Sequence, residues 1–345
     1  MVKEYSHDRY IELIKERKNA WDNPALKYKN DFVPDCVYKY WSLSSPNIDR
    51  NLEALVDGKI WMPVAQTLND PFEFQMITDK LSETERIMFR GDILGRNSVL
   101  SLAPIPCNYL MWSHYGNSHT GACLEFEVES KDEIFPVTYV ESQIDATCDI
   151  REWLTIKERV MHRMMSKEDM NSFEWQLLEK VRRIMLYKHS IWGYENEFRI
   201  IGRKEICAGD EVRIPKGYLE NLSDVGLRLK RIILGFNCRP EDKIKVLKCV
   251  NQINSELVIR ELMEKEYRVN VEEVVDVLAR QKEFVEVAQF KREGTNLKLD
   301  IVDLNCKNYV YEMLKRYRNT LQYICSKKRQ HKLNESAEQK LKNML

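Results

Sequence analysis

The 345-residue chain has no excess of charge of either sign, because 54 Lys and Arg balance 54 Asp and Glu. That balance excludes a molecule-wide field that gathers nucleic acid or an anionic membrane, so any such attraction has to be local. The nine cysteines, Cys36, Cys107, Cys123, Cys148, Cys207, Cys238, Cys249, Cys306 and Cys325, show no short paired spacing. Zinc ribbons, zinc fingers and disulfide-stapled scaffolds are excluded, and reduced cytosolic thiols are expected. No stretch approaches the ~20 consecutive apolar residues of a membrane span. The opening segment MVKEYSHDRYIELIKERK is charged throughout and lacks the apolar centre of a signal peptide. A cytoplasmic protein without a membrane partner is therefore expected. Internal repeats, low-complexity tracts and a glycine-rich phosphate loop are also missing.

What is present is a composition of 43% hydrophobic and 31% charged residues, enough to bury a core and solvate a surface. Tyr10, Leu13 and Ile14 with charges between them predict a short amphipathic helix, followed by a polar, Asn-rich connector to Pro34. Strands are predicted over 36–40, 59–62, 99–102, 122–128, 136–140, 197–201 and 231–234. Helices are predicted over 51–56, 81–95, 151–187 and 241–253, the third from apolar residues at helical spacing such as Val160, Met164, Leu177, Val181 and Ile184. A hairpin over 284–302 precedes a final helix with Val310, Met313, Leu314, Tyr317, Leu321 and Ile324 on one face and a basic surround that includes Lys327, Lys328 and Arg329. Short strands enclosing helical insertions predict an α+β fold. Its parts are an N-terminal helical arm (1–35), an α+β domain (36–254) and a C-terminal appendage of hairpin and basic helix (255–345).

Four motifs concentrate the polar and aromatic residues. In Val37-Tyr38-Lys39-Tyr40-Trp41, strand alternation sends Tyr38 and Tyr40 to one face and Lys39 to the other, a wall for a planar ligand or an ordinary sheet edge. Ile60-Trp61-Met62 leads to Leu68-Asn69-Asp70-Pro71-Phe72-Glu73, an Asx-type corner whose Asp70 and Glu73 can face a pocket. Leu110-Met111-Trp112-Ser113-His114-Tyr115 precedes the strand at Ala122, and its His114, with His119 and Cys123, matches no specific metal signature. In Trp192-Gly193-Tyr194-Glu195-Asn196-Glu197-Phe198-Arg199, a Glu-x-Glu step puts both carboxylates and Arg199 on one strand face. That pattern suits stabilisation of a developing positive charge or general-base work, and equally a Glu–Arg bridge closing a sheet.

The order YKYWSL, NLEALVDGKIWM, LNDPFEF, LMWSHYGNSHTGACLEF, WGYENEFRI and RIILGFNC resembles the bacterial domain of unknown function 2971 family over about 36–250. That family occurs among predicted defence and toxin-like genes. A weaker similarity is to the ADP-ribosyltransferase superfamily, whose split sheet clamps NAD while a Glu holds the ribose hydroxyl as nicotinamide leaves. The resemblance implies a split, mixed β-sheet core and NAD as substrate. It makes Glu197 the carboxylate that stabilises the oxocarbenium-like ribose, Glu195 the residue that orients the acceptor, and His114 a third catalytic group. Tyr38, Tyr40, Trp61 and Tyr115 become stacking surfaces for nicotinamide, and Lys39, Asn69, Asp70, Trp112, Ser113 and Arg199 complete the cofactor-binding set.

The expected function is an ADP-ribosyltransferase-like effector or toxin of anti-phage defence, modifying an intracellular protein or nucleic acid, with an antitoxin or defence-system partner. One alternative is a metal-dependent nuclease or phosphodiesterase using Asp70, Glu73, His114, Glu195 and Glu197. The other is a non-catalytic module that senses a nucleotide or a phage component.

Overall fold

Capping and registry account for most of the element boundaries. The computed structural model describes residues 4–16, 23–68, 73–74, 80–166, 171–203, 216–264, 284–293 and 296–301. Asn69, Asp70 and the expected basic helix beyond the hairpin lie outside the described residues. The chain forms two units, the first comprising Met1–Lys39, Ile60–Pro106 and Glu127–Arg228, the second Tyr40–Lys59, Cys107–Phe126 and Leu229–Leu345.

In the first unit, α1 (His7–Leu13) starts where the Ser6 side chain accepts from the Arg9 amide. The segment after it, expected as a connector, contains a second helix, α2 (Pro24–Asn30). Asn23 caps it and Pro24 opens it, since a proline in the first turn loses no intrahelical bond. Only Ala25 and Lys29 of α2 are buried, too few to give the apolar rhythm on which a sequence reading depends. Tyr10, Ile11, Leu13, Ile14 and Ala25 pack with Phe135 and Leu186. Lys29 is enclosed, its ammonium donating to the carbonyls of Lys131, Asp132 and Ile134.

An antiparallel sheet of order β3-β8-β5 centres this unit, with β3 Asn97–Leu102, β8 Phe198–Arg203 and β5 Ile134–Pro136. Its register sets Ser101 and Phe135 opposite Arg199. The strand expected over 136–140 is two strands. At Val137 the amide turns to the Glu197 carbonyl, and Thr138–Val140 (β6) then pairs in parallel with Tyr187–His189 (β7). The single helix expected over 151–187 is also broken. A capping box of Asn171 and Glu174 restarts it, giving α6 (Thr147–Ser166) and α7 (Ser172–Arg183). Helix α4 (Glu83–Phe89) opens on its own capping box, Ser82 with Glu85, and ends in a π-helical turn, Arg90–Leu94. These helices share a core of Leu81, Ile93, Ile150, Trp153, Leu177 and Ile184. A further strand absent from the sequence reading, β9 (Gly217–Asn221), pairs with β2 (Lys59–Pro63).

Most residues of the remaining sheet belong to the second unit. Its order is β1-β4-β10-β11-β12, with β1 Cys36–Trp41, β4 Ala122–Val128, β10 Leu227–Leu234, β11 Glu286–Glu293 and β12 Asn296–Ile301. The β10–β11 pair is parallel and β11–β12 is an antiparallel hairpin, so the sheet is mixed and the fold is α+β. Helices α3 (Ile48–Val56), α5 (Tyr109–His114) and α8 (Pro240–Glu264) complete the unit. The last extends past the end expected at 253.

Candidate functional site

Two left-handed residues deliver three acids to the end of β8. Phe74 has φ 56° and follows Glu73, and Asn196 has φ 44° between Glu195 and Glu197. A bulky residue such as Phe rarely adopts this conformation, and strain of this kind gathers at functional sites. Asn tolerates it better because its short amide can bond locally. The turn at Asn196 swings Glu195, the last residue of a 3-10 segment over Ser190–Glu195, back beside Glu197.

The result is a buried set of ion pairs inside the first unit. Arg199 is fully buried, and Glu195 and Glu197 are each 4% exposed. The Arg199 guanidinium donates through Nε to Glu197 Oε1 at 2.8 Å, through Nη1 to the Met185 carbonyl at 2.5 Å, and through Nη2 to Glu197 Oε2 at 3.0 Å and to Glu73. Lys188 Nζ donates to Glu195 Oε2 at 2.7 Å and to Glu197 Oε2 at 3.1 Å, and lies 3.9 Å from Glu73 Oε1. Aromatic faces enclose the cations, with Trp192 5.3 Å from the Lys188 ammonium and Phe74 5.4 Å from the Arg199 guanidinium carbon. The Glu197 amide donates to the Tyr139 hydroxyl at 2.8 Å. Phe74 also belongs to a hydrophobic cluster with Ala65, Val99 and Met185.

Burial pushes the Glu197 carboxyl above the usual carboxylate range, and Glu195 adds to the rise, while Lys188 and a Ser101 hydrogen bond oppose it. Lys39, on β1, is half-buried, and loss of water holds its ammonium below the ordinary lysine value against the pull of Glu197 and Glu195. Burial likewise raises the Tyr194 phenol.

Of the residues the sequence singles out, Glu195, Glu197 and Arg199 are brought together, with Lys39 in their field. Trp61 is half-buried in the same unit, and Tyr38 lies on a backbone bridge to Ala103. Trp112, Ser113, His114, Tyr115 and Tyr40 belong to the second unit. There Trp112 is fully buried, Tyr40 is 6% exposed with its ring edge-on to Trp112, and Ser113 and His114 are exposed on α5. His119 follows two other left-handed residues, Asn117 and Ser118, and its ring stacks on Trp112 at 5.9 Å. Among the described residues, no three His, Cys, Asp or Glu form a group that holds a metal ion. Glu73, Glu195 and Glu197 are occupied by Lys188 and Arg199.

Lys188, Tyr139 and Ser101 are site residues that sequence reasoning missed. Lys188 lies one residue past the helix expected over 151–187, in a stretch given no element, and it belongs to the short strand Tyr187–His189. The one available signal was a lysine followed by exposed-type residues next to Trp192.

No curated protein and no solved structure matches the chain. Residues 111–200, which hold Lys188, Glu195, Glu197 and Arg199 as well as the Trp-Ser-His-Tyr motif, match the family described as Protein of unknown function (DUF2971).

Proposed function

We propose that the protein is an ADP-ribosyltransferase-like enzyme that cleaves the bond between ribose and nicotinamide in NAD and transfers the ADP-ribosyl group to an intracellular protein or nucleic acid, as an effector in anti-phage defence. The observation that carries this reading is the pair Glu195 and Glu197, bridged by one ammonium, with Glu197 bonded to Arg199 as well. Two carboxylates whose surroundings differ are what glycosyl chemistry uses. The residues fit NAD in kind. Half-buried Trp61, Trp192 and Tyr194 offer flat faces, and the carboxylates suit ribose hydroxyls.

In this reading, the electron pair of the broken C–N bond leaves with nicotinamide, and the Glu197 carboxylate offsets the positive charge left on the ribose. The acceptor then attacks, and its proton passes to Glu195. Both oxygens of Glu197 are engaged by Arg199 and Lys188, so substrate binding has to draw Lys188 away from it. NAD labelled in the adenine moiety, incubated with the protein and cell extract, should leave label on a macromolecule and release nicotinamide. A protein that neither binds nor consumes NAD ends this reading.

A second reading has its own observation. Arg199 is wholly enclosed and bonded to Glu73, Glu197 and a backbone carbonyl, which suits a fixed scaffold for a non-catalytic binding module. Wild-type NAD turnover separates the two.

A further inference from the structure

The loop that follows the Trp-Ser-His-Tyr motif takes no part in the buried ion pairs. Within the second unit, Asn117, Ser118 and His119 adopt left-handed backbone one after another, with φ 49°, 54° and 64°. None is glycine, and strain of this kind persists only where the surrounding structure holds it. The His119 amide donates to the Trp112 carbonyl at 3.2 Å, and the His119 carbonyl accepts from the Asn237 amide at 3.1 Å. A Cβ at Gly235 would strike that carbonyl, and one at Gly116 would strike the Trp112 ring, so both positions give up a side chain to make room for the turn.

The turn delivers an imidazole into aromatic surroundings. Its ring lies 12° from parallel with Trp112, 4.9 Å from Phe236 and 6.4 Å from Tyr109. Nδ1 is buried with no hydrogen-bond partner among the described residues, and the ring is half-buried, so Nε2 is the nitrogen that meets solvent. Burial lowers the ionisation of the ring, which leaves it neutral at pH 7. An orphaned buried N–H is rarer than an orphaned acceptor, so the proton belongs on Nε2 as an outward donor. Beside it, Tyr109 is 49% exposed and Phe236 is half-buried, and both offer faces on which a flat ring stacks. A donor among such faces selects a ring with an acceptor in its own plane, which purines and pyrimidines have and phenyl and indole rings lack. Asn117 Nδ2 and Arg239 Nη2 both donate to Ser44 Oγ, at 3.2 and 3.4 Å. Arg239 is half-exposed and also pairs with Asp242, and this polar rim suits the sugar and phosphate of a nucleotide.

We propose that His119, Tyr109 and Phe236 form a nucleobase-binding site in the second unit, with His119 Nε2 donating to an acceptor atom of the base. This goes beyond the NAD reading and does not rest on it. The test titrates 2-aminopurine riboside, whose fluorescence falls when its ring stacks, with the full-length protein. Saturable quenching is expected, reversed by adenosine monophosphate or a single-stranded oligoadenylate and not by indole. Displacement by the oligonucleotide at about a tenth of the base concentration needed for the monophosphate, or less, identifies a strand as the ligand. Equal displacement identifies a free nucleotide, and either result supports the site. Tyr109→Ala, at an exposed position, should weaken binding about tenfold or more. His119→Phe, which keeps a ring against Trp112 and removes the donor, should weaken it about fivefold. Absence of saturable quenching, displacement by indole as readily as by the monophosphate, or quenching unchanged in Tyr109→Ala overturns the proposal. The probe carries no nicotinamide, so failure here leaves the NAD reading untouched, and absence of NAD turnover leaves this one untouched.

Discussion

At the scale of single residues, the structure changes what a substitution at Glu197 means. An exposed Glu–Arg pair is worth about 0–1 kcal/mol. Glu197 is instead enclosed and bonded to both Arg199 and Lys188. Glu197→Gln leaves two buried cations short of a counter-charge, and removing one partner of a buried pair costs about 3–5 kcal/mol. Urea denaturation should show a loss of that size, and a loss under 1 kcal/mol would mean that the pair is solvated. Activity lost in this variant is therefore ambiguous between chemistry and folding. Glu195→Gln is the cleaner probe of mechanism, since Arg199 stays paired with Glu197 and Glu73. On the NAD reading, Glu195→Gln should slow transfer to the acceptor by about a hundredfold while nicotinamide release falls much less. Equal loss of both would remove the acceptor role from Glu195.

The same residues show how far the sequence was readable. The i, i+2 spacing of Glu197 and Arg199 was enough to place both on one strand face, because strand periodicity is local. That Glu195 joins them was expected from continued alternation, but the structure achieves it through the left-handed turn at Asn196. Glu73 and Lys188 come from distant segments. Nothing in their own neighbourhoods specifies that Glu73 Oε1 lies 3.9 Å from the Lys188 ammonium. Contacts of that range are set by sheet order and loop closure, to which a periodicity argument has no access.

At the scale of elements, boundaries fixed by caps were half legible and boundaries fixed by pairing were not. The capping box at Asn171 and Glu174 is a local signature, and it divides a helical stretch that apolar spacing alone reads as continuous. The change of partner at Val137 depends on β8 and β7 being beside it, a fact of tertiary structure. The turn that leads into β8 makes a direct prediction. Asn196→Gly should be tolerated to within a few tenths of a kcal/mol, as glycine enters φ 44° freely. Asn196→Val should lower stability by about 1–2 kcal/mol, since a Cβ-branched side chain in this region clashes with the following carbonyl. Thermal melts of the two variants check the order, and a valine variant as stable as glycine would show that the turn relaxes to another conformation.

At the scale of the whole molecule, the N-terminal arm couples stability to pH. His7 is 1% exposed, with Nδ1 2.8 Å from the Tyr5 hydroxyl and Nε2 3.4 Å from the Glu179 carbonyl. Its ring lies against Tyr10 and Phe135. Burial lowers its ionisation from 6.5 to about 3, and Arg182 and Arg183 push the same way, against the Glu179 carbonyl. Between these values the unfolded chain binds the proton and the folded one does not, so stability is full above about pH 6.5 and is lost as the pH falls towards 3. Glu179 works in the opposite sense. Burial raises its carboxyl from 4.5, so its share of stability is full below that value and declines as the pH rises. The two overlap in mildly acidic solution, and a raw stability curve mixes them. A His7→Gln variant removes one titration and keeps a side chain able to bond Tyr5 and the Glu179 carbonyl. Subtracting its stability curve from that of the wild type, point by point between pH 3.5 and 7.5, isolates the histidine. The difference should rise with pH and level off above the ordinary histidine value. A flat difference would mean that His7 charges as readily in the folded protein as in the unfolded chain, which the enclosed ring and its two cationic neighbours oppose.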